Sequence, residues 1–284
     1  MIIFYTYIMF IPLLFELKLN EINIFMYGED HRNIDNSYYE HLSKSFRQKD
    51  FLLVEHSTNA CELKPEEEHL FMEHAKGSEW IFYTQKKAGN PNVICFDTRS
   101  EDGYLNAFLE QRLFTLGDSL PTCKPQEIRE YIDGVIHILK AFNDNSEKFK
   151  TAIPGYFERS LEMLQSQFNV VIHLLKLKKR EGDKFPKMLS DILSGAGYTL
   201  ATNLRRVASV SVDINLASAL TGLTADMPKD FNVQVFCGRN HVIRMAMMFN
   251  LPLNKFTRDH IITAGMEVQG DLEMDAKILQ IQSD

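Results

Sequence analysis

Cysteine is scarce in this chain. Only Cys61, Cys95, Cys123 and Cys237 occur among 284 residues. None stands in a Cys-x-x-Cys pair, and the spacings fit no zinc ribbon or finger. So few cysteines in so long a chain argue against a disulfide scaffold and for a reducing compartment, so a cytoplasmic location is expected. Positive charge is also short: 31 Lys and Arg stand against 38 Asp and Glu, a formal net charge of -7. That argues against a nucleic-acid partner bound through a basic surface. The one basic run, residues 176–180, sits where a helical pattern ends and cations are favoured. No internal repeat of solenoid period and no low-complexity segment occurs.

The opening stretch, Met1 to Phe15, is apolar and uncharged but spans only about 15 residues, against the about 20 a membrane helix needs. It lacks the basic start and the small-residue cleavage site of a signal peptide, and Pro12 would disturb a helix. A β-hairpin is expected instead: a strand from Pro12 to Leu17, a polar turn near Asn20, and a strand from Ile22 to Tyr27. A signal or anchor segment is the alternative. No membrane span is expected.

What is present is an ordinary globular balance, 45% hydrophobic and 24% charged, with ample material for a core. Compact apolar runs of strand length end at Tyr27, Glu55, Asp97 and Cys237. Helical patterns separate them in the first third: residues 36–49, and residues 64–75 with Pro65 and three glutamates at the start. From Lys124 to about Gly222 the periodicity is mostly helical. One stripe is Ile128, Ile132, Val135, Ile136 and Leu139; another is Leu161, Leu164, Phe168, Val171, Ile172 and Leu175. A helix from about His241 to Phe249 and a last strand over residues 260–268 complete the pattern. The expected fold class is α/β: a mostly parallel central sheet flanked by helices, with a large helical insertion between the third and last core strands. Residues 1–284 are read as a single α/β domain, with residues 124–222 as an insertion or subdomain within it.

One motif occurs twice. Gly28-Glu29-Asp30-His31 and Gly238-Arg239-Asn240-His241 both read Gly-x-x-His, and each follows an apolar strand pattern. With 14 Gly and 9 His, roughly 0.4 such spacings arise by chance, so the strand context carries the signal. Polar residues gather at the ends of the other strands too: Glu55 and His56 on the second, Asp97 and Arg99 on the third. In open parallel sheets ligands bind beyond the carboxyl ends of the strands. Two histidines and two carboxylates there can ligate a divalent metal and activate its water. A glutamate can serve as general base, and Arg99 can hold a substrate anion or developing negative charge. Alternatively, a histidine activates water without metal.

Plainer roles stand beside these. Glu29 and His31 can cap the next helix, Glu55 can be a salt-bridge partner, and Asp97-Thr98-Arg99 can be a strand-to-helix turn with an N-cap. His56 should face away from Glu55 by strand alternation and is left out of the set. His41, His69, His74, His137, His173 and His260 lie in helical or surface contexts. Asp213, in the apolar stretch Val210 to Leu220, reads as an acid that supports the site residues from behind or, at least as readily, as a hydrogen-bonded core acid.

The segments Phe25 to His31, Leu52 to Glu55, Phe96 to Arg99 and Val235 to His241 together resemble the TraB/Tiki, ChaN and erythromycin-esterase superfamily. The resemblance implies an α/β core and a functional set of Glu29, His31, Glu55 and His241. Arg239 departs from the pattern, standing where a small or neutral residue is expected. Tiki-like members are metal-dependent proteases, erythromycin esterases activate water with a histidine, and ChaN-like members bind haem. The expectation is therefore a hydrolase of a peptide or small-molecule ester. Catalytic residues would be Glu29, His31, Glu55, Arg99 and His241, with Mn, Co or Zn held by His31, Glu55 and His241. The alternative is a non-catalytic protein on the same fold, binding a haem-like ligand or serving an assembly. A homo-oligomer is compatible with either.

Overall fold

A computed structural model describes residues 13–30, 36–47, 49–57, 75–152 and 155–249. Five strands form one sheet: β1 (Leu13–Leu19), β2 (Ile22–Glu29), β3 (Phe51–Ser57), β4 (Val93–Asp97) and β5 (Asn232–Gly238). Eight helices are seen among these residues: α1 (Asn36–Ser43), α2 (Ser78–Lys87), α3 (Ala107–Ser119), α4 (Pro125–Asp144), α5 (Ser146–Ala152), α6 (Tyr156–Glu181), α7 (Lys187–Ala225) and α8 (Arg239–Met248).

The hairpin expected near the N-terminus is present. β1 pairs antiparallel with β2, from Leu13 opposite Gly28 to Leu19 opposite Ile22. The two residues between them, Asn20 and Glu21, both have positive φ, 49° and 69°. That is the turn geometry whose twist matches the flanking strands. The Asn20 side chain donates to Thr224 Oγ1 at 3.1 Å, which ties the turn to the end of α7.

The sheet order is β1-β2-β5-β3-β4, and β2, β5, β3 and β4 are parallel neighbours. β5 lies in the middle, which accounts for its run of buried residues from Val233 to Gly238. On one face Tyr27 stacks on Phe236 with ring centroids 4.8 Å apart, and Leu52 and Val54 join them against α1 and α2. α8 packs on the other face, against β2 and β5. Gly28 makes that approach possible. A Cβ there would lie 2.9 Å from Val242 Cγ2 and 3.0 Å from the Arg239 Cα.

Between β4 and β5 the described chain is helical, α3 to α7, as the sequence pattern required. The α4 stripe is rotated from its expected position. Tyr131, Val135, Ile138 and Phe142 are buried, while Ile136 is 49% exposed. These four recur at spacings of four, three and four residues, and the rings of Tyr131 and Phe142 set the inward face, because they bury the most area. α3 and α7 touch backbone to backbone: a Cβ at Gly197 would lie 2.5 Å from the Gly117 carbonyl oxygen. The Tyr131 hydroxyl donates to the Gly197 carbonyl at 2.7 Å, and burial raises its pKa.

The described residues fall into two compact units. One holds residues up to Asp97 and from Asn215 on; the other holds Thr98–Ile214. By length and composition α7 can cross a membrane, but 56% of its most apolar stretch is buried inside the protein, and core helices pass the same test. The expected strand over residues 260–268, and the helix expected over residues 64–75 as far as residue 74, lie outside the described residues.

Candidate functional site

The parallel strand order brings the carboxyl ends of β2, β5, β3 and β4 to one edge of the sheet. The two Gly-x-x-His motifs meet there almost in register: Gly28 pairs with Cys237, and Glu29 with Gly238. Arg239, the departure in the second motif, lies 3.8 Å from Asp30 of the first. A residue foreign to one motif is thus matched to a carboxylate in the other.

Gly238 ends β5 and opens α8 as its N-cap residue. α8 is buried almost all round: Val242, Ile243, Met245, Ala246 and Met247 are at or near full burial. Such a helix belongs to a core, so the two polar residues inside it need partners. They find one chain of hydrogen bonds. The Glu55 carboxylate accepts the Gly238 backbone N–H at 2.7 Å through Oε2. Its Oε1 lies 3.2 Å from Nε2 of His241, and each side chain is only 7% exposed. On the other side of the ring, Arg244 Nη2 lies 3.0 Å from Nδ1 of His241. Arg244 is fully buried.

The direction of each bond follows from chemistry. A guanidinium only donates, so Nδ1 of His241 accepts. The neutral ring then carries its proton on Nε2 and donates it to Glu55. The chain runs Arg244 to His241 to Glu55, with a permanent cation at one end and a carboxylate at the other.

Glu29 sits at the same edge but on the opposite face. Its Oε2 accepts from the Tyr39 hydroxyl and from the Ser78 backbone N–H, both at 2.9 Å. Its Oε1 accepts the Ser78 hydroxyl at 2.8 Å. Ser78 begins α2, so a carboxylate from β2 closes the helix N-terminus, where negative charge is favoured. Burial, together with the Glu29 charge, pushes the Tyr39 hydroxyl pKa far up and keeps it a donor.

His56 points away from Glu55, as strand alternation requires. Its Nε2 lies 3.2 Å from the Tyr83 hydroxyl, and its ring meets Phe82 edge-on at 5.0 Å. Burial lowers its pKa, with Asp97 opposing. Arg99 lies in the other unit, in the turn after β4, where its carbonyl accepts from the Tyr104 and Leu105 backbone at 2.9 and 3.2 Å. Asp213 is fully buried in α7, also in that unit. His31 lies outside the described residues, so its distance to His241 is not part of the geometry.

Of the five residues expected to act, the structure brings Glu55 and His241 together. It sets Glu29 against α1 and α2. Among the described residues no group of three or more His, Cys, Asp or Glu is arranged to hold a metal. The chemistry of the donors bears on this more directly. A metal at Nε2 of His241 needs a lone pair there, and Arg244 drives the proton onto that nitrogen. As arranged, His241 does not fit a metal ion.

Arg244 was not among the expected residues. The signal was present: an arginine inside the apolar helical stretch Val242 to Met248, one turn beyond His241. The same reasoning singled out Asp213. Compared with known proteins, the chain matches no family model, no curated protein and no solved structure.

Proposed function

We propose that the chain is a hydrolase of the TraB/Tiki and erythromycin-esterase-like class that activates water at the carboxyl edge of its sheet to cleave a peptide or small-molecule ester. The observation that carries this reading is the buried chain Arg244–His241–Glu55 at that edge. An ionised carboxylate has about four lone-pair sites. Gly238 and His241 occupy two of these at Glu55. In this route Glu55 takes the proton of the attacking water and returns it to the leaving group, so no proton is gained or lost overall. A version assisted by Mn, Co or Zn on His31, Glu55 and His241 would first have to break the Arg244 bond. The metal-free route is therefore the one favoured.

A second reading has its own support. Both Glu29 and Glu55 bind backbone N–H groups at the start of a helix, which is a structural task. A protein that keeps the fold for haem-like ligand binding or for assembly would show the same contacts.

One experiment separates them. The purified chain is assayed against activated esters and a mixed peptide library, with chelator and with added Mn, Co or Zn. Turnover that survives chelation and disappears in Glu55→Gln supports the metal-free hydrolase. Turnover that appears only on adding metal supports the metal version. No turnover, with a Soret band on adding haemin, supports the second reading.

A further inference from the structure

We infer that Arg244 is a positioning residue: it holds His241 in the tautomer with the proton on Nε2, aimed at Glu55, and so makes Glu55 the proton acceptor of the site. The inference deepens the hydrolase reading and rests on it for its effect on turnover.

The geometry carries it. Arg244 Nη2 is 3.0 Å from Nδ1 of His241, and a guanidinium has five donors and no acceptor. A neutral imidazole has one donor and one acceptor nitrogen, so the Arg244 donor at Nδ1 and the Glu55 acceptor at Nε2 act in the same sense, and Arg244 closes Nδ1 to the proton. That proton points at Glu55 Oε1, 3.2 Å away. His241 then offers no free lone pair to a water: Nδ1 is held by Arg244, and Nε2 already carries hydrogen. Histidine is usually the base in such a site. Here the carboxylate takes that part, and the ring transmits orientation.

Packing keeps Arg244 in place. It lies three residues after His241 on α8, so the two side chains stand one turn apart. Arg244 is itself fully buried, and its neighbours along α8, Val242, Ile243, Met245, Ala246 and Met247, are buried too. A guanidinium removed from water is costly unless compensated. The chain of bonds from Arg244 through His241 ends on the Glu55 carboxylate. Arginine suits this place better than lysine, because its planar fork holds direction.

The test reads the tautomer directly. The full chain, labelled with 15N-histidine, is examined by long-range 1H–15N correlation NMR, and His241 is assigned by its loss in His241→Asn. One Nε2–H ring with an unprotonated Nδ1 is expected; an Nδ1–H ring overturns the inference. In Arg244→Met only Glu55 still favours the Nε2–H form, so a fraction of the ring protonated at Nδ1 should appear, and kcat should fall about 100-fold with KM little changed. Arg244→Lys, which keeps one donor, should restore the Nε2–H tautomer and part of kcat. An unchanged tautomer in a folded Arg244→Met overturns the inference. If that variant does not fold, the wild-type tautomer still decides. A wild-type chain with the Nε2–H ring but no turnover removes the hydrolase reading and leaves the role of Arg244. An active chain with an Nδ1–H ring does the reverse.

Discussion

The Glu29 carboxylate holds Ser78 twice, through the backbone N–H at 2.9 Å and the hydroxyl at 2.8 Å. Gly77 precedes Ser78 as the α2 N-cap residue and has no side chain to close the helix. A residue 49 positions earlier supplies what is missing. Replacing Glu29 by Ala leaves buried donors on Ser78 and Tyr39 without their acceptor, so a loss of about 2–3 kcal/mol in urea unfolding is expected. Glu29→Gln should cost less, because one amide oxygen still accepts. A Gln variant with native stability and no hydrolysis would instead make Glu29 part of the chemistry.

A different close contact decides the glycines. A Cβ on Gly28 meets Val242 and the Arg239 backbone, and one on Gly197 meets the Gly117 carbonyl. Neither obstacle at backbone can rotate away. Gly28→Ala should therefore cost about 1–3 kcal/mol through a displaced α8, and Gly197→Ala at least as much. Thermal unfolding of each variant measures this. Gly182→Ala is the contrast: open space surrounds its Cβ position, and only its φ of 56° opposes substitution. If Gly28→Ala is as stable as the parent, the glycine of the first motif serves the site and not the packing.

The sheet edge was legible in the sequence because buried parallel strands leave continuous apolar runs that stop at polar residues. Tyr27, Glu55, Asp97 and Cys237 each lie at or within two residues of an observed strand end. The face on which each acid lies was not legible. Alternation separates Glu29 from Gly28 and Glu55 from His56, but which side is which depends on where α8 packs. That is settled by tertiary contact, through Gly28 and Val242. Arg244 was hidden for a related reason. Its meaning comes from a ring nitrogen one turn away, and spacing alone does not assign a donor to an acceptor. In α4, counting aliphatic residues misplaced the stripe, because Tyr131 and Phe142 outweigh Ile136 in buried area.

His56 gives a pH dependence with a definite sign. Burial lowers its pKa below the ordinary value of 6.5, so the folded chain binds fewer protons there than the unfolded chain. Stability must then fall as pH drops through 6.5 toward the lower folded value, and this contribution is flat above 6.5. His56→Phe should flatten that part of the acid slope, because Phe keeps the ring contact with Phe82 and cannot charge. Urea unfolding between pH 5 and 7.5 compares the two slopes, about 5 and 7.5 being chosen to bracket an unperturbed histidine. A parental slope in the variant would assign the dependence to other groups.

Glu55, His241 and Arg244 should behave as one energetic unit, and a double-mutant cycle exposes it. Glu55→Gln keeps the shape but places an amide NH2 against either the Gly238 N–H or the His241 Nε2–H, both donors. The ring cannot relieve the clash by moving its proton, because Arg244 already occupies Nδ1. The single variant should lose about 1–3 kcal/mol of stability. Turnover should fall by about 10²–10⁴ with the loss of the proton acceptor. Arg244→Met alone removes a buried cation from the chain of bonds that ends on Glu55, which is also costly. In the double variant neither difficulty remains. The ring is free to carry its proton on Nδ1 and accept from the amide at Nε2, and both charged ends of the chain are gone. The combined loss should therefore be smaller than the sum of the two by about 0.5–3 kcal/mol. Losses that add within about 0.5 kcal/mol would mean that His241 does not couple its neighbours, and the chain of bonds would have no energetic reality.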